Sequence, residues 1–257
     1  MIKSKVFFLF MILELSIASV DVKIINFNIH GFNTLVNKNK VLEIINNVSD
    51  NDLIFFQENW SFDAEIRNNL QGFNFIFSNQ EIKIFQDSGL AIGINKKNQI
   101  IEYEEIFFDS CHGVLFNSND CLATKGFIFA RVKIDDIYLD IYNTHLDAGY
   151  SSKDKEVREK QLNKLIKYIF KKSLKNNIII SGDFNINYFG NYNYLIDDLC
   201  SKVNLSFVSW DEEYFLENKI DYIFYSKSLD YLNNSIPDTL FHLSDHPPMG
   251  AYFKIKK

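Results

Sequence analysis

The sequence predicts an α/β protein in which a β-rich core is covered by helices within one domain. Three observations predict it. Apolar runs of strand length recur from Val22 to Ile255, whereas apolar stripes at helical spacing are few. Strand and helix signals alternate to the end, with no internal repeat, no Pro- or Ser-rich linker and no long charge run to mark a boundary. The 257 residues are 47% hydrophobic and 23% charged, which supplies a core and is inconsistent with wholesale disorder.

The elements follow in chain order. Lys3 and Lys5 precede the apolar run Val6 to Leu13, and Ser16-Ile17-Ala18 supplies small residues for cleavage. This is the pattern of a secretory signal peptide over residues 1–18, too short to span a bilayer; a first buried strand is the alternative. Cleavage there leaves 19–257 as one domain of an exported protein. Val22 to Phe27 is a strand ending at Asn28. Val41, Ile44, Ile45 and Val48 form a helical stripe. Leu53 to Phe56 is a buried-type strand ending in Gln57-Glu58, and Gly89 to Ile94 is another. Ile100 to Phe108 and Phe127 to Ile134 follow, then Ile137 to Asn143, which stops at Thr144-His145. Val157, Leu162, Leu165, Ile166 and Ile169 mark a long helix that Ser151 and Asp154 open as a capping box. Asn177 to Ser181 is apolar and ends in Gly182-Asp183; Ile220 to Tyr225 and Met249 to Ile255 are late strands.

The formal charge of −6 argues against a protein that coats nucleic acid, because phosphate binding needs a basic footprint. It leaves room for a metal-dependent enzyme, since a divalent ion supplies positive charge locally. Cys111 and Cys121 flank a loop-like stretch, and in an oxidising compartment a disulfide closing it is expected; Cys200 then remains as a buried small hydrophobe. No Cys/His spacing fits a zinc site.

Asn28, Glu58, His145, Asp183 and Asn185 all lie at or just past the carboxyl end of an apolar run. One such ending is ordinary turn chemistry. Five at the same structural phase predict side chains converging on one rim.

The pieces at these ends are Asn26-Phe27-Asn28-Ile29, Phe56-Gln57-Glu58, Asn143-Thr144-His145-Leu146, Ser181-Gly182-Asp183-Phe184-Asn185, Ile220-Asp221-Tyr222-Ile223 and Ser244-Asp245-His246-Pro247. In this order they resemble the endonuclease/exonuclease/phosphatase superfamily of metal-dependent phosphodiesterases, over about residues 22 to 254. The resemblance implies a two-sheet β-sandwich flanked by helices, a four-layer α/β/β/α fold of the DNase I-like kind. It implies Glu58, with Asn28 and Asp245, at a Mg²⁺ site, where Mn²⁺ or another divalent cation is also acceptable to oxygen ligands. His246 becomes the general base, Asp221 its orienter, Asp183 the holder of the attacking water and Asn185 a phosphate ligand. His145 stabilises the transition state or protonates the leaving oxygen. His30 is near the rim but is not counted in the site; His112 and His242 are taken as surface or turn residues.

Asp120 to Phe127, which carries Lys125-Gly126, looks like a segment of neutral and bacterial sphingomyelinases. So do Asp87-Ser88-Gly89-Leu90 and His145-Leu146-Asp147-Ala148-Gly149, with Arg158 and Gln161 beyond. The resemblance implies cleavage of sphingomyelin to ceramide and phosphocholine at a membrane surface, by a monomer and without nucleic acid as partner. Lys125 is either a phosphate-neutralising group or an ordinary solvated lysine. Trp60, two residues past Glu58, is either a wall for the choline by cation–π contact or a core residue, the latter weighing more. Tyr188, Phe189, Tyr192, Tyr194, Trp210, Tyr214 and Phe215 supply aromatics for an interface. A secreted DNase-type nuclease, a phosphoinositide phosphatase and an inactive binding module are the alternatives.

Overall fold

A computed structural model describes residues 19–31, 35–79, 87–113, 120–209, 219–234, 236 and 238–256. The signal-peptide expectation for 1–18 and the aromatics Trp210, Tyr214 and Phe215 lie outside them. Strands are β1 (Ser19–Asn28), β2 (Leu53–Gln57), β3 (Phe73–Phe77), β4 (Ala91–Asn95), β5 (Gln99–Phe107), β6 (Gly126–Ile134), β7 (Ile137–His145), β8 (Asn177–Asp183), β9 (Leu205–Phe207), β10 (Asp221–Ser226), β11 (Asp230–Asn233) and β12 (Met249–Lys256). Helices are α1 (Leu35–Val48), α2 (Asp63–Asn69), α3 (Ser152–Lys172) and α4 (Tyr194–Val203).

The strands form two six-stranded sheets, β11-β12-β1-β2-β4-β3 and β5-β6-β7-β8-β10-β9. Alternation along each strand decides the layers. Val22, Ile24, Phe55, Ile92 and Phe253 from the first sheet meet Ile128, Ile141, Ile179 and Ile223 from the second, and this apolar filling lies between the sheets. The opposite parity of the first sheet, Ile25, Phe27, Ile54 and Phe56, is covered by Val41, Ile44 and Ile45 of α1 and Ile66 of α2. On the second sheet Phe129, Tyr142, Ile180 and Phe224 are covered by Leu162, Leu165 and Ile169 of α3 and by Ile196 and Leu199 of α4. Each such aliphatic side chain contributes roughly 1.5–3 kcal/mol by leaving water. The result is the expected α/β/β/α sandwich.

The capping box at α3 is complete: the Asp154 N–H donates to Ser151 Oγ, and the Ser151 N–H donates to Asp154 Oδ2. Strands β3, β9 and β11 and helices α2 and α4 have no counterpart in the sequence expectation, and one expected strand starts later. The strand expected from Gly89 begins at Ala91, because Gly89 adopts a left-handed φ of 64° that ends extended pairing. Helix α4 shares only Tyr194 with the aromatic cluster noted in the sequence, and Leu195, Ile196 and Leu199 are its buried stripe.

Strand direction gathers one end of both sheets. β1 runs parallel to β2, and β7 parallel to β8, so Asn28, Gln57, His145 and Asp183 end at the same edge. β10 and β12 run the other way, so Asp221 begins at that edge and the Ser244–His246 turn lies just before Met249.

Candidate active site

Three chemical residues share one register line. His145 lies opposite Asp183 across β7 and β8, and Asp183 lies opposite Asp221 across β8 and β10. Register partners point to the same face, here the one between the sheets. Beneath them the filling turns from apolar to polar. Asn26, Gln57, Asn143 and Ser181 are fully buried. Gln57 Nε2 donates to Asn26 Oδ1 at 2.9 Å and across the sheets to Asn143 Oδ1 at 2.7 Å, while Ser181 Oγ donates to Asn26 Oδ1 at 2.9 Å. Asn143 Nδ2 reaches the Phe56 and Ala91 carbonyls at 2.8 and 2.9 Å. The sequence named Gln57 and Asn143 within motifs but gave this layer no role.

The Asp221 carboxylate meets His246 Nδ1 at 2.7 Å. That bond fixes the ring and leaves Nε2 3.7 Å from Asp183 Oδ2, beyond hydrogen-bond distance. Ser244 Oγ donates to the Asn28 carbonyl at 2.7 Å and accepts from the His246 N–H at 3.2 Å, so the turn is tied to the end of β1. Ligand atoms of Asp183, Asp221 and His246 all lie within 4.8 Å of one another, a spacing a metal ion accepts. The Asp221–His246 bond already joins two of these three side chains, so the trio is better matched to an oriented base beside a carboxylate.

On the other side, Asn28 Nδ2 donates to Glu58 Oε1 and to Asp183 Oδ2, each at 3.1 Å. The His30 N–H donates to Asn28 Oδ1 at 3.2 Å and fixes which way the amide faces. Asn28 therefore aligns two carboxylates with its nitrogen. Asp245 lies exposed beyond Glu58. Asn185 is left-handed at φ 51°; its N–H donates to Asp183 Oδ1 at 2.9 Å and its Nδ2 to the Leu146 carbonyl at 3.1 Å.

Electrostatics follow from crowding. Burial and the Asp221 charge raise the Asp183 carboxyl, and burial raises Asp221 against the pull of His246. Burial opposes protonation of His246, but Asp221, Asp183 and Asp245 outweigh it and push the imidazole up to about 10. Burial, with the charges of Lys125 and His246, holds His145 well below its ordinary value, so it is neutral. Its Nδ1 has no partner among the described residues, and its Nε2 lies 3.4 Å from Asp183 Oδ2. Four carboxylates, Glu58, Asp183, Asp221 and Asp245, thus crowd one edge. A divalent cation fits this donor set: it relieves the repulsion, and positive charge at Glu58 and Asp245 returns His246 toward a neutral base.

Lys125 is not solvated. It is buried, its Nζ donates to the Leu146 carbonyl at 3.1 Å, and it pairs with Asp120 at 3.1 Å. Cys111 and Cys121 are joined, with Cα atoms 5.2 Å apart, and Asp120 adjoins this bridge. Cys200 is free and half-buried, its thiol pushed up to about 11 by burial. Trp60 is half-buried and lies flat against Gly89, where an added Cβ would sit 2.9 Å from the ring. His242 is exposed, but His112 is more than a surface residue: its ring meets Asp154 and its N–H donates to Asp147 Oδ1 at 3.2 Å. Arg158 donates to the carbonyls of Asp147, Ala148 and Gly149, and Gln161 accepts from the Asp147 N–H, which holds the loop after His145.

A rim of carboxylates, amide and histidines on a two-sheet sandwich defines a class of metal-assisted hydrolytic folds. The model of endonuclease/exonuclease/phosphatase family 2 matches residues 25–209, and the chain belongs to that family. Within it the likeness is to the sphingomyelinase branch. Sphingomyelinase C of Bacillus cereus is 31% identical over 108 residues, which are 40% of this chain and 30% of that protein. The chain thus matches under a third of that relative's length. Beta toxin of Staphylococcus aureus, an F277A, P278A mutant with bound magnesium ions, superposes with a TM-score of 0.70 at 19% identity, covering 91% of this chain and 99% of that one. Sphingomyelinase C from Streptomyces griseocarneus gives 0.70 at 13%, with 91% and 99% covered. At these identities the structures show the shared fold.

Proposed function

We propose that this chain is a secreted, divalent-cation-dependent phosphodiesterase that hydrolyses sphingomyelin to ceramide and phosphocholine. Residues 1–18 act as its export signal and 19–257 as a single, monomeric catalytic unit. The observation that carries the reading is the Asp221–His246 bond beside Asp183, facing Asn28 and Glu58 across the inter-sheet edge.

Glu58 and Asp245 would hold a divalent cation, Mg²⁺ or Mn²⁺, which would supply positive charge to neutralise the phosphate. Asp183 positions a water, and His246 Nε2 takes its proton while Asp221 keeps Nδ1 in place. The water oxygen bonds to phosphorus as the bond to the ceramide oxygen breaks in line. Neutral His145 donates a hydrogen bond to the leaving oxygen, which takes a proton from water as ceramide departs, and Asn185 contacts a phosphate oxygen. Lys125, held by Asp120, adds positive potential from behind His145 rather than touching the lipid. Trp60 walls the choline on its open side. The sphingomyelin assignment is supported by the matched segment of sphingomyelinase C and by exposed aromatics on the loops after β7 and β8. Tyr150 and Phe189 are exposed, and Lys155 lies over the rings of Tyr192 and Tyr194 at 4.3 and 5.2 Å. Aromatics with lysines suit a lipid headgroup region. Among the described residues no helix is long and apolar enough to cross a membrane.

Purified protein is expected to release phosphocholine from sphingomyelin vesicles with Mg²⁺, to lose this with EDTA, and to leave phosphatidylcholine, phosphoinositides and plasmid DNA largely intact. Degradation of DNA with sphingomyelin untouched overturns the assignment.

A further inference from the structure

Helix α3 carries a pair of buried polar side chains that the mechanism above does not use. Arg158 and Gln161 stand one helical turn apart, hence on one face, and are 3% and 1% exposed. Both turn to the loop that follows His145. Arg158 Nη1 donates to the carbonyls of Asp147, Ala148 and Gly149 at 2.9, 3.2 and 2.9 Å. Gln161 Oε1 accepts the Asp147 N–H at 2.9 Å, and its Nε2 donates to the Ser110 carbonyl at 3.0 Å. A carbonyl only accepts, so the Ser110 bond decides which end of the Gln161 amide faces Asp147. Arg158 thus holds the loop as a segment, whereas Gln161 holds a single peptide unit of it.

That unit joins Leu146 to Asp147. It is trans, so the N–H on Gln161 and the Leu146 carbonyl lie in one plane and point in opposite directions. The Leu146 carbonyl accepts from Asn185 Nδ2 and from Lys125 Nζ, each at 3.1 Å, so both of its lone pairs are used. Because it only accepts, it fixes which end of the Asn185 amide faces it: Nδ2 is held and Oδ1 is turned away. Leu146 takes one hydrogen of Nδ2, and the other is left for an oxygen of the substrate. A peptide plane that rocks carries this carbonyl with it, and the Asn185 amide then loses the bond that tells its two ends apart. His145 is held separately, by its pairing with Gly126 and Asp183 at the end of β7.

We propose that Gln161 is a positioning residue for phosphate recognition: through the Leu146–Asp147 peptide it sets the orientation of the Asn185 amide. The proposal rests on the reading above in which Asn185 contacts a phosphate oxygen. The path is short, since the two bonds that carry it, Gln161 to the Asp147 N–H and Asn185 to the Leu146 carbonyl, end on one peptide unit. Arg158 and Lys125 brace the same loop. Loss of Gln161 therefore blurs the orientation of Asn185 without releasing the loop.

The test compares the full chain with Gln161→Met, which keeps the length of the side chain and removes both bonds, with Asn185→Ala, and with the double variant. Turnover of sphingomyelin vesicles with Mg²⁺ reads the coupling. Proton–nitrogen correlation NMR of the substrate-free proteins reads the Asn185 side-chain amide, assigned by its loss in Asn185→Ala. Expected are losses in kcat of about 10²-fold or more for Asn185→Ala and about tenfold for Gln161→Met, with the double variant within about twofold of Asn185→Ala alone. The Asn185 amide signals are expected to shift in Gln161→Met. Losses that multiply in the double variant, or Asn185 amide signals that Gln161→Met leaves in place, overturn the positioning role while leaving the phosphodiesterase reading standing. Full turnover by Asn185→Ala overturns the phosphate contact and the positioning role together, as does a parent that hydrolyses no phosphodiester. If circular dichroism shows Gln161→Met to be unfolded, Gln161→Ser replaces it and is read in the same way, since its hydroxyl is too short to reach Asp147 and leaves room for water.

Discussion

Asp147 provides a test of the electrostatics on a residue that does no chemistry. It lies two positions beyond His145 and is fully buried. Its Oδ1 accepts the His112 N–H at 3.2 Å, and its Oδ2 has no partner among the described residues. Burial first, then the Asp120 charge, push its carboxyl from 3.8 up to about 7, against the His112 bond and Lys125. Between those values the folded chain binds the proton more tightly than the unfolded chain. Stability therefore falls as pH rises from about 4 to about 7, and the full penalty is present above 7. The whole shift corresponds to about 4 kcal/mol at ~1.36 kcal/mol per unit; solvent screening of a group that is not wholly desolvated reduces this to about 1–2 kcal/mol. Asp147→Asn keeps the shape and removes the charge. In a chain of this size 1 kcal/mol moves the melting temperature by about 2–4 °C. Thermal melts are expected to show the variant about 3–6 °C more stable at pH 8.5 and within about 1 °C of the parent near pH 4. The same shift at both pH values, or destabilisation at pH 8.5, refutes a buried ionisable carboxyl as the cause.

Three further outcomes are expected. His246→Ala loses about 10³-fold or more in hydrolysis with its circular dichroism unchanged, as a base acting within a unit does; retained turnover removes it from the mechanism. Gly182→Ala costs roughly 3 kcal/mol or more, because φ is 151° and the new Cβ would meet the Thr144 carbonyl oxygen at 2.0 Å; a melting temperature within 2 °C of the parent contradicts this. Reducing Cys111–Cys121, which closes a separation of ten residues, lowers stability by about 3 kcal/mol on loop entropy, read as a denaturant midpoint shift that the Cys111→Ser/Cys121→Ser variant reproduces without reductant.

Local signals were legible where one element carries its own evidence. Strands β2 and β8 are unbroken apolar runs, and α3 announces itself through Ser151, Asp154 and a buried stripe. Sheet order was not, because β1 pairs on one side with nearby β2 and on the other with β12, more than two hundred residues away in sequence. Asn28, Glu58, His145, Asp183 and Asn185 were visible as polar residues at the ends of apolar runs, and Asp221 and His246 only through the ordered motifs that carry the family resemblance. His30 was placed near the rim, as found, but nothing in one sequence shows that the Gly31 N–H ties that turn to the Glu58 carbonyl. Lys125 was left between two roles because its partners, Asp120 and the Leu146 carbonyl, converge only through the fold.

The amide layer under the rim has a consequence for how the two sheets are aligned. Apolar faces alone tolerate sliding, since one branched side chain packs against another much as well as against the next. Displacing one sheet by a residue pair, about 7 Å, would set Gln57 and Asn26 against isoleucine and strip Asn143 of the Phe56 and Ala91 carbonyls. Each stranded amide costs about 1–3 kcal/mol, so only one alignment survives. Gln57, Asn143 and Ser181 thus act as a vernier between the sheets. The gap that Asn28 spans from Glu58 to Asp183 is calibrated several ångströms below the reacting groups, by residues that never meet the substrate.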